Sequence, residues 1–161
     1  VEAAKEMTGR LLEEYHKTRR LLARETSGSL AGLTSQVRPG DYLAVLAYLS
    51  PTIEVDDALD GLLRRVAERY KIATTVGYGP RYLHSTGQLH KGGPDIGLFL
   101  LLTADHDLDL AIPGEAHTFG VLADAQASGD LQALQLRGRR VFRLHLKGDP
   151  VDGIRGLAQE I

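Results

Sequence analysis

Tyr42-Leu43-Ala44-Val45-Leu46-Ala47-Tyr48 is an unbroken apolar run of strand length. A strand that shows one face to water alternates apolar with polar residues. One that is apolar throughout is covered on both faces, as in a parallel sheet between two helix layers. Gly97-Leu98-Phe99-Leu100-Leu101-Leu102-Thr103 has the same character. Residues 72–76 and 140–146 supply two further strands. Helical spacing separates them. Leu59, Leu62, Leu63 and Val66 mark a buried stripe across 56–70. A short helix over 81–91 is stopped by Gly92-Gly93-Pro94. Residues 118–135 read as one or two helices interrupted near Ser128-Gly129-Asp130, and a last helix from Pro150 has Asp149 as its N-cap. Strands alternating with helices predict an α/β fold, a parallel sheet covered by helices on both faces.

Upstream of the sheet, residues 2–24 form the clearest helix. Ala4, Met7, Leu11, Tyr15, Thr18 and Leu22 share a stripe, with Glu2 and Glu6 near the start and Arg19, Arg20 and Arg24 near the end. The stretch from Thr26 to Gly40 reads as a connection and as the candidate boundary. The expected organisation is therefore residues 1–40 as an N-terminal helix and connection, and residues 41–161 as an α/β domain. The chain opens on Val1 directly in a helical pattern, which reads as part of a longer polypeptide.

The 161 residues suit one domain with a real core. A formal net charge of -2 gives no electrostatic reason to expect nucleic acid or an anionic membrane as partner. No apolar run reaches the ~20 residues of a membrane span. There is no cysteine, so disulfide and thiolate chemistry are excluded, and a cytoplasmic location is the expectation.

Open parallel sheets bind ligands at the carboxyl ends of their strands. The turn Gly77-Tyr78-Gly79-Pro80 lies at such an end, but lacks the glycine spacing of a dinucleotide fingerprint. There is no nucleotide phosphate loop either, so no cofactor is implied. In the helix that follows, His84, Gln88 and Lys91 fall on one face, and Ser85 and Thr86 add hydroxyls. Such a face suits a polyhydroxylated or phosphorylated small molecule, which needs many directional donors and acceptors. A solvated polar face is the competing reading. Asp105-His106-Asp107-Leu108-Asp109 lacks both zinc-hydrolase and calcium-loop spacing and reads as a solvated loop, so no metal site is expected. His90, off the polar face, reads as structural.

Leu83-His84-Ser85-Thr86-Gly87-Gln88, followed by Lys91 and Gly92-Gly93, resembles the histidine motif of phosphoglucose isomerases. The sixteen residues 79–94 are similar to the isomerase part of bifunctional transaldolase/phosphoglucose isomerase proteins. So are Ile112-Pro113-Gly114-Glu115 with Thr118-Phe119-Gly120, Ala125-Gln126-Ala127 with Gly129-Asp130-Leu131, and Arg139-Arg140-Val141. The likeness covers roughly residues 41–148.

The resemblance implies isomerisation of glucose 6-phosphate and fructose 6-phosphate without metal or organic cofactor. It implies a sugar-isomerase (SIS-like) α-β-α sandwich, of which this chain is the second subdomain. It implies an upstream isomerase subdomain and a transaldolase domain as covalent partners, and a homo-oligomer. His84 is then the group that assists ring opening, with Arg81, Ser85, Thr86, Gln88 and Lys91 as substrate-binding residues. The enediol base is a glutamate upstream of the histidine, for which Glu68 and Glu54 are the two candidates. The family's hydroxyl-rich phosphate pocket belongs mainly to the first subdomain. Its catalytic lysine has no match in the last helix, which offers only Arg155, with Lys147 just before it. The alternative is a sugar-phosphate-binding module of the same fold without catalysis.

Overall fold

A computed structural model describes residues 2–21 and 25–161. Four strands, β1 (Tyr42–Tyr48), β2 (Ala73–Tyr78), β3 (Gly97–Ala104) and β4 (Arg140–Leu146), form one parallel sheet in the order β2-β1-β3-β4. β1 and β3 are the central pair, in register from Tyr42 opposite Gly97 to Tyr48 opposite Thr103. Their apolar runs are explained by position, since every residue of β3 is buried. The α/β sandwich expected from the sequence is the observed architecture.

Alternate strand residues build two cores. Leu43, Val45, Leu98, Leu100 and Leu144 face one way, onto α2 (Leu30–Thr34), α3 (Ile53–Tyr70) and α6 (Pro150–Gln159). Ala44, Leu46, Phe99, Leu101 and Val141 face the other way. There they meet a 3₁₀ turn at Arg81–His84 and α5 (Phe119–Leu136). Right-handed crossovers require this division, because β1 connects to β2 on one side of the sheet and β3 to β4 on the other. Among the described residues, no helix is long and apolar enough to cross a membrane.

Several boundaries differ from expectation for identifiable reasons. The first helix, α1 (Glu2–Thr18), stops six residues short of Arg24. Thr18 Oγ1 donates back to the Glu14 carbonyl and accepts from the Arg20 amide, and Arg19 turns left-handed at φ 54. Met7, Leu11 and Tyr15 of the stripe are half-buried, with α1 lying along α5. Thr18 is exposed. Leu22, Arg24 and the side chain of Ala4 lie outside the described residues.

The segment expected as a connection is built into the domain. Ser27 pairs with Arg143 through both backbone and side chain, and Leu30 and Leu33 of α2 are wholly buried. The hydrogen bonds to β4 reach back to Glu25, whose carbonyl accepts from Arg143 Nε.

α5 runs unbroken through Ser128-Gly129-Asp130. These are poor residues for a solvated helix interior, but all three are buried. Ser128 Oγ accepts from Arg143 Nη1, and Asp130 is ion-paired with Lys91. Tertiary partners override the local preference.

Candidate functional site

β2 ends at Tyr78, two residues beyond the expected strand, and a cis Gly79-Pro80 bond follows. The glycines here permit close packing. A Cβ on Gly79 would stand 2.5 Å from the Tyr48 ring, and one on Gly77 would stand 2.8 Å from Tyr82 Cβ. With both absent, Tyr48 and Tyr82 meet edge to face at 6.1 Å under the end of the sheet.

The expected helix over 81–91 is two pieces. The 3₁₀ turn Arg81–His84 breaks at Ser85, whose backbone (φ -132, ψ -101) is neither helical nor extended, and α4 (Thr86–Gly92) starts afresh. The i, i+4, i+7 face expected for His84, Gln88 and Lys91 is therefore not formed. Arg81, His84, Ser85, Thr86 and Gln88 are all exposed. His84 has no hydrogen-bond partner among the described residues. Ser85 Oγ and Gln88 Nε2 donate weakly to the carbonyls of Tyr82 and Leu83, at 3.3 and 3.4 Å.

Lys91 points the other way, its side chain 8% exposed and its ammonium paired with Asp130 of α5. The ammonium is committed to the interior, so the substrate-binding role expected for Lys91 does not fit its place. Asp130, fully buried, also accepts from the Tyr82 hydroxyl. Burial first, and then the neighbouring Tyr48 hydroxyl and Asp130 carboxylate, push the Tyr82 phenol well up. Tyr82 stays a donor.

His90 is buried between Tyr42 and Phe99, with Nδ1 2.9 Å from the Tyr42 hydroxyl. Burial, aided by the Lys91 charge and opposed by Asp130, pulls its pKa down to about 4. The unfolded chain takes up a proton near pH 6.5 that the folded chain refuses until about 4. Stability should therefore fall as pH drops through that window, by on the order of 3 kcal/mol. Urea midpoints between pH 7 and 4 measure this. The slope should flatten in His90→Gln, and an equal slope in both proteins would assign the effect elsewhere.

The two candidate carboxylates part company. α3 runs against the strands and its last residues feed β2 at the amino edge of the sheet. Glu68, exposed near that end, is therefore about 20 Å from the carboxyl edge where His84 stands, the length of the six-residue strand between them. It does not reach a substrate that His84 touches. Glu54 stands at the opposite end of α3, six residues past Tyr48 as His84 is six past Tyr78, and these strand ends are neighbours.

Glu54 also lines a cleft of about 730 Å³ between the loops that follow β1 and β3. Here the strand order reverses, the usual ligand position of such sheets. Its described lining includes the carboxylates of Glu54, Asp105, Asp107, Asp109 and Asp149, and His106, but no lysine or arginine.

The 104–113 loop is more ordered than a solvated loop. Asp109 accepts from Thr118 Oγ1 at 2.6 Å and from the Gly120 amide at 2.8 Å, which hold its carboxyl below the usual range. His106 Nε2 lies 3.0 Å from Asp124 Oδ1 of α5, and His145 Nε2 lies 3.3 Å from Asp105 Oδ1. Sequence reasoning missed Asp124 and Asp130. Their only local signal was two acids in a helix of small residues, which reads as an interruption when no partner is visible. Among the described residues, no group of three or more His, Cys, Asp or Glu side chains is placed to hold a metal ion.

No family model matches the chain, and no curated protein matches it. Among solved structures, the hypothetical protein TT0462 from Thermus thermophilus superposes with a TM-score of 0.61 at 22% identity. The match covers 80% of this chain and 35% of that one. At this identity the likeness is one of fold: the parallel α/β sandwich recurs within about a third of that protein's length.

Proposed function

We propose that the chain is the C-terminal portion of a larger glucose-6-phosphate isomerase, fused behind an isomerase subdomain and a transaldolase, and that His84 is its ring-opening group. The observation that carries the reading is the imidazole of His84, exposed and without a hydrogen-bond partner among the described residues, on a turn at the carboxyl edge of the sheet. Four exposed polar side chains, Arg81, Ser85, Thr86 and Gln88, surround it in sequence. The core accounts for none of them. The similarity of residues 79–94 to that family points to the same residues.

The chemistry follows from an imidazole acting as general acid and base. His84 protonates the ring oxygen of the cyclic sugar while the anomeric hydroxyl loses its proton, giving the open chain. A carboxylate then removes a proton from C1 of the ketose and the electrons pass into an enediol. As the O1 hydroxyl gives up its proton and O2 gains one, the same proton equivalent returns to C2 and the carbonyl is left at C1. Glu54, at the same edge of the sheet, is the carboxylate we assign to that step. His84 faces outward, so the substrate it serves is held against another surface, either the upstream subdomain or a second copy of the chain. No cofactor enters.

The direct test is turnover of fructose 6-phosphate by the full polypeptide that carries this chain, with Glu54→Gln and Glu68→Gln compared. Loss confined to Glu54→Gln is the expected result. Binding of the sugar phosphate without turnover would replace the enzyme by a sugar-phosphate-binding module.

A further inference from the structure

We infer that Asp130 is a positioning residue for His84, acting as a single buried clamp on both sides of the turn that carries it. The inference rests on the isomerase reading for its kinetic consequence, but its structural half stands on geometry alone.

The segment from Arg81 to Gly92 has little means of holding its own shape. Its helices are four and seven residues long, below the length at which a helix is stable without outside contacts. Between them Ser85 has an irregular backbone. Yet the segment is anchored from α5. One oxygen of Asp130 accepts from Tyr82, two residues before His84. The other pairs with Lys91, seven residues after it. Arg139 completes the hold at the far end, donating to the carbonyls of Lys91 at 2.9 Å and Gly93 at 2.6 Å.

Asp130 is 0% exposed, Tyr82 4% and Lys91 7%, so this charged cluster is desolvated throughout. A buried ion pair is a poor source of stability compared with well-packed apolar groups of the same size. What it can supply is placement: a hydrogen bond from Tyr82 and an ion pair with Lys91, both to one buried carboxylate, tie the two ends of the exposed turn to a common point and so set its path. Side chains off that path, His84 included, inherit their position from a residue that never meets the substrate.

The test replaces the cluster by apolar groups of similar size, Tyr82→Phe, Lys91→Met and Asp130→Leu together, in the full polypeptide. The thermal midpoint should be kept or raised. kcat on fructose 6-phosphate should fall about tenfold with KM changed less than twofold, the split expected when a transition-state contact is displaced. In the 161-residue chain, amides 84–90 should exchange at least about tenfold faster, while those of β1 and β3 are unchanged. Unchanged kcat or unchanged exchange overturns the clamp. If the triple variant does not fold, Asp130→Asn, which keeps an acceptor for Tyr82 but uncharges the partner of Lys91, is read by the same two measures. A full polypeptide with no isomerase turnover sinks the enzyme reading instead. Exchange at 84–90 then decides the clamp by itself.

Discussion

His84→Ala is expected to lower kcat for cyclic fructose 6-phosphate by about a hundredfold or more in the full polypeptide, the usual worth of a positioned acid–base group. Folding should survive. The side chain is exposed and has no hydrogen-bond partner among the described residues, so its removal opens no cavity and strands no buried donor. The informative control separates ring opening from enediol chemistry. Substrate presented already open should lose much less, because the step that His84 serves has been bypassed. Glu54→Gln should show the reverse pattern and be slow on both forms. An unchanged kcat on the cyclic sugar would make His84 an ordinary surface residue and remove the assignment.

The sequence showed the strands because their signal is intrinsic. β1 is legible at its observed limits and β3 to within one residue, since a strand buried on both faces must be apolar throughout. β4 is legible at its limits although Arg140, Arg143 and His145 interrupt its apolar residues. The turn before His84 was legible too, from its two glycines and proline. The site's support was not. Asp130 and Lys91 are 39 residues apart (130 − 91), and nothing local to either announces an ion pair. Periodicity alone puts Lys91 with His84 on one face, whereas the break at Ser85 turns it inward. Glu68 is close in sequence to β2, but the antiparallel run of α3 puts it at the amino end of that strand, away from His84. A sequence pattern places residues along an element. Which end of the sheet the element brings them to is a property of topology.

The 161 residues alone should fold and yet show negligible isomerase activity. Folding is expected because both faces of the four-stranded sheet carry a contiguous core within the chain. Catalysis needs more: a phosphate anchor, a ring opener and an enediol base held together, since proximity supplies much of the rate. Among the described residues the anchor is what the exposed edge does not provide. Lys91 is spent on Asp130, leaving Arg81 as the cation of the exposed run beside His84. The neighbouring cleft presents five carboxylates and repels a dianion. A phosphate held by one exposed guanidinium gains little over water, so 6-phosphogluconate should bind no more tightly than about millimolar, ~4 kcal/mol. Supplying the upstream half in trans should restore turnover, and the restored activity should be lost again with His84→Ala. That second loss matters, because it ties the rescue to this chain's own imidazole and not to activity carried by the added half. Substantial isomerisation by the 161 residues unaided would place the phosphate anchor within them, and the division of labour proposed between two halves would have to be abandoned.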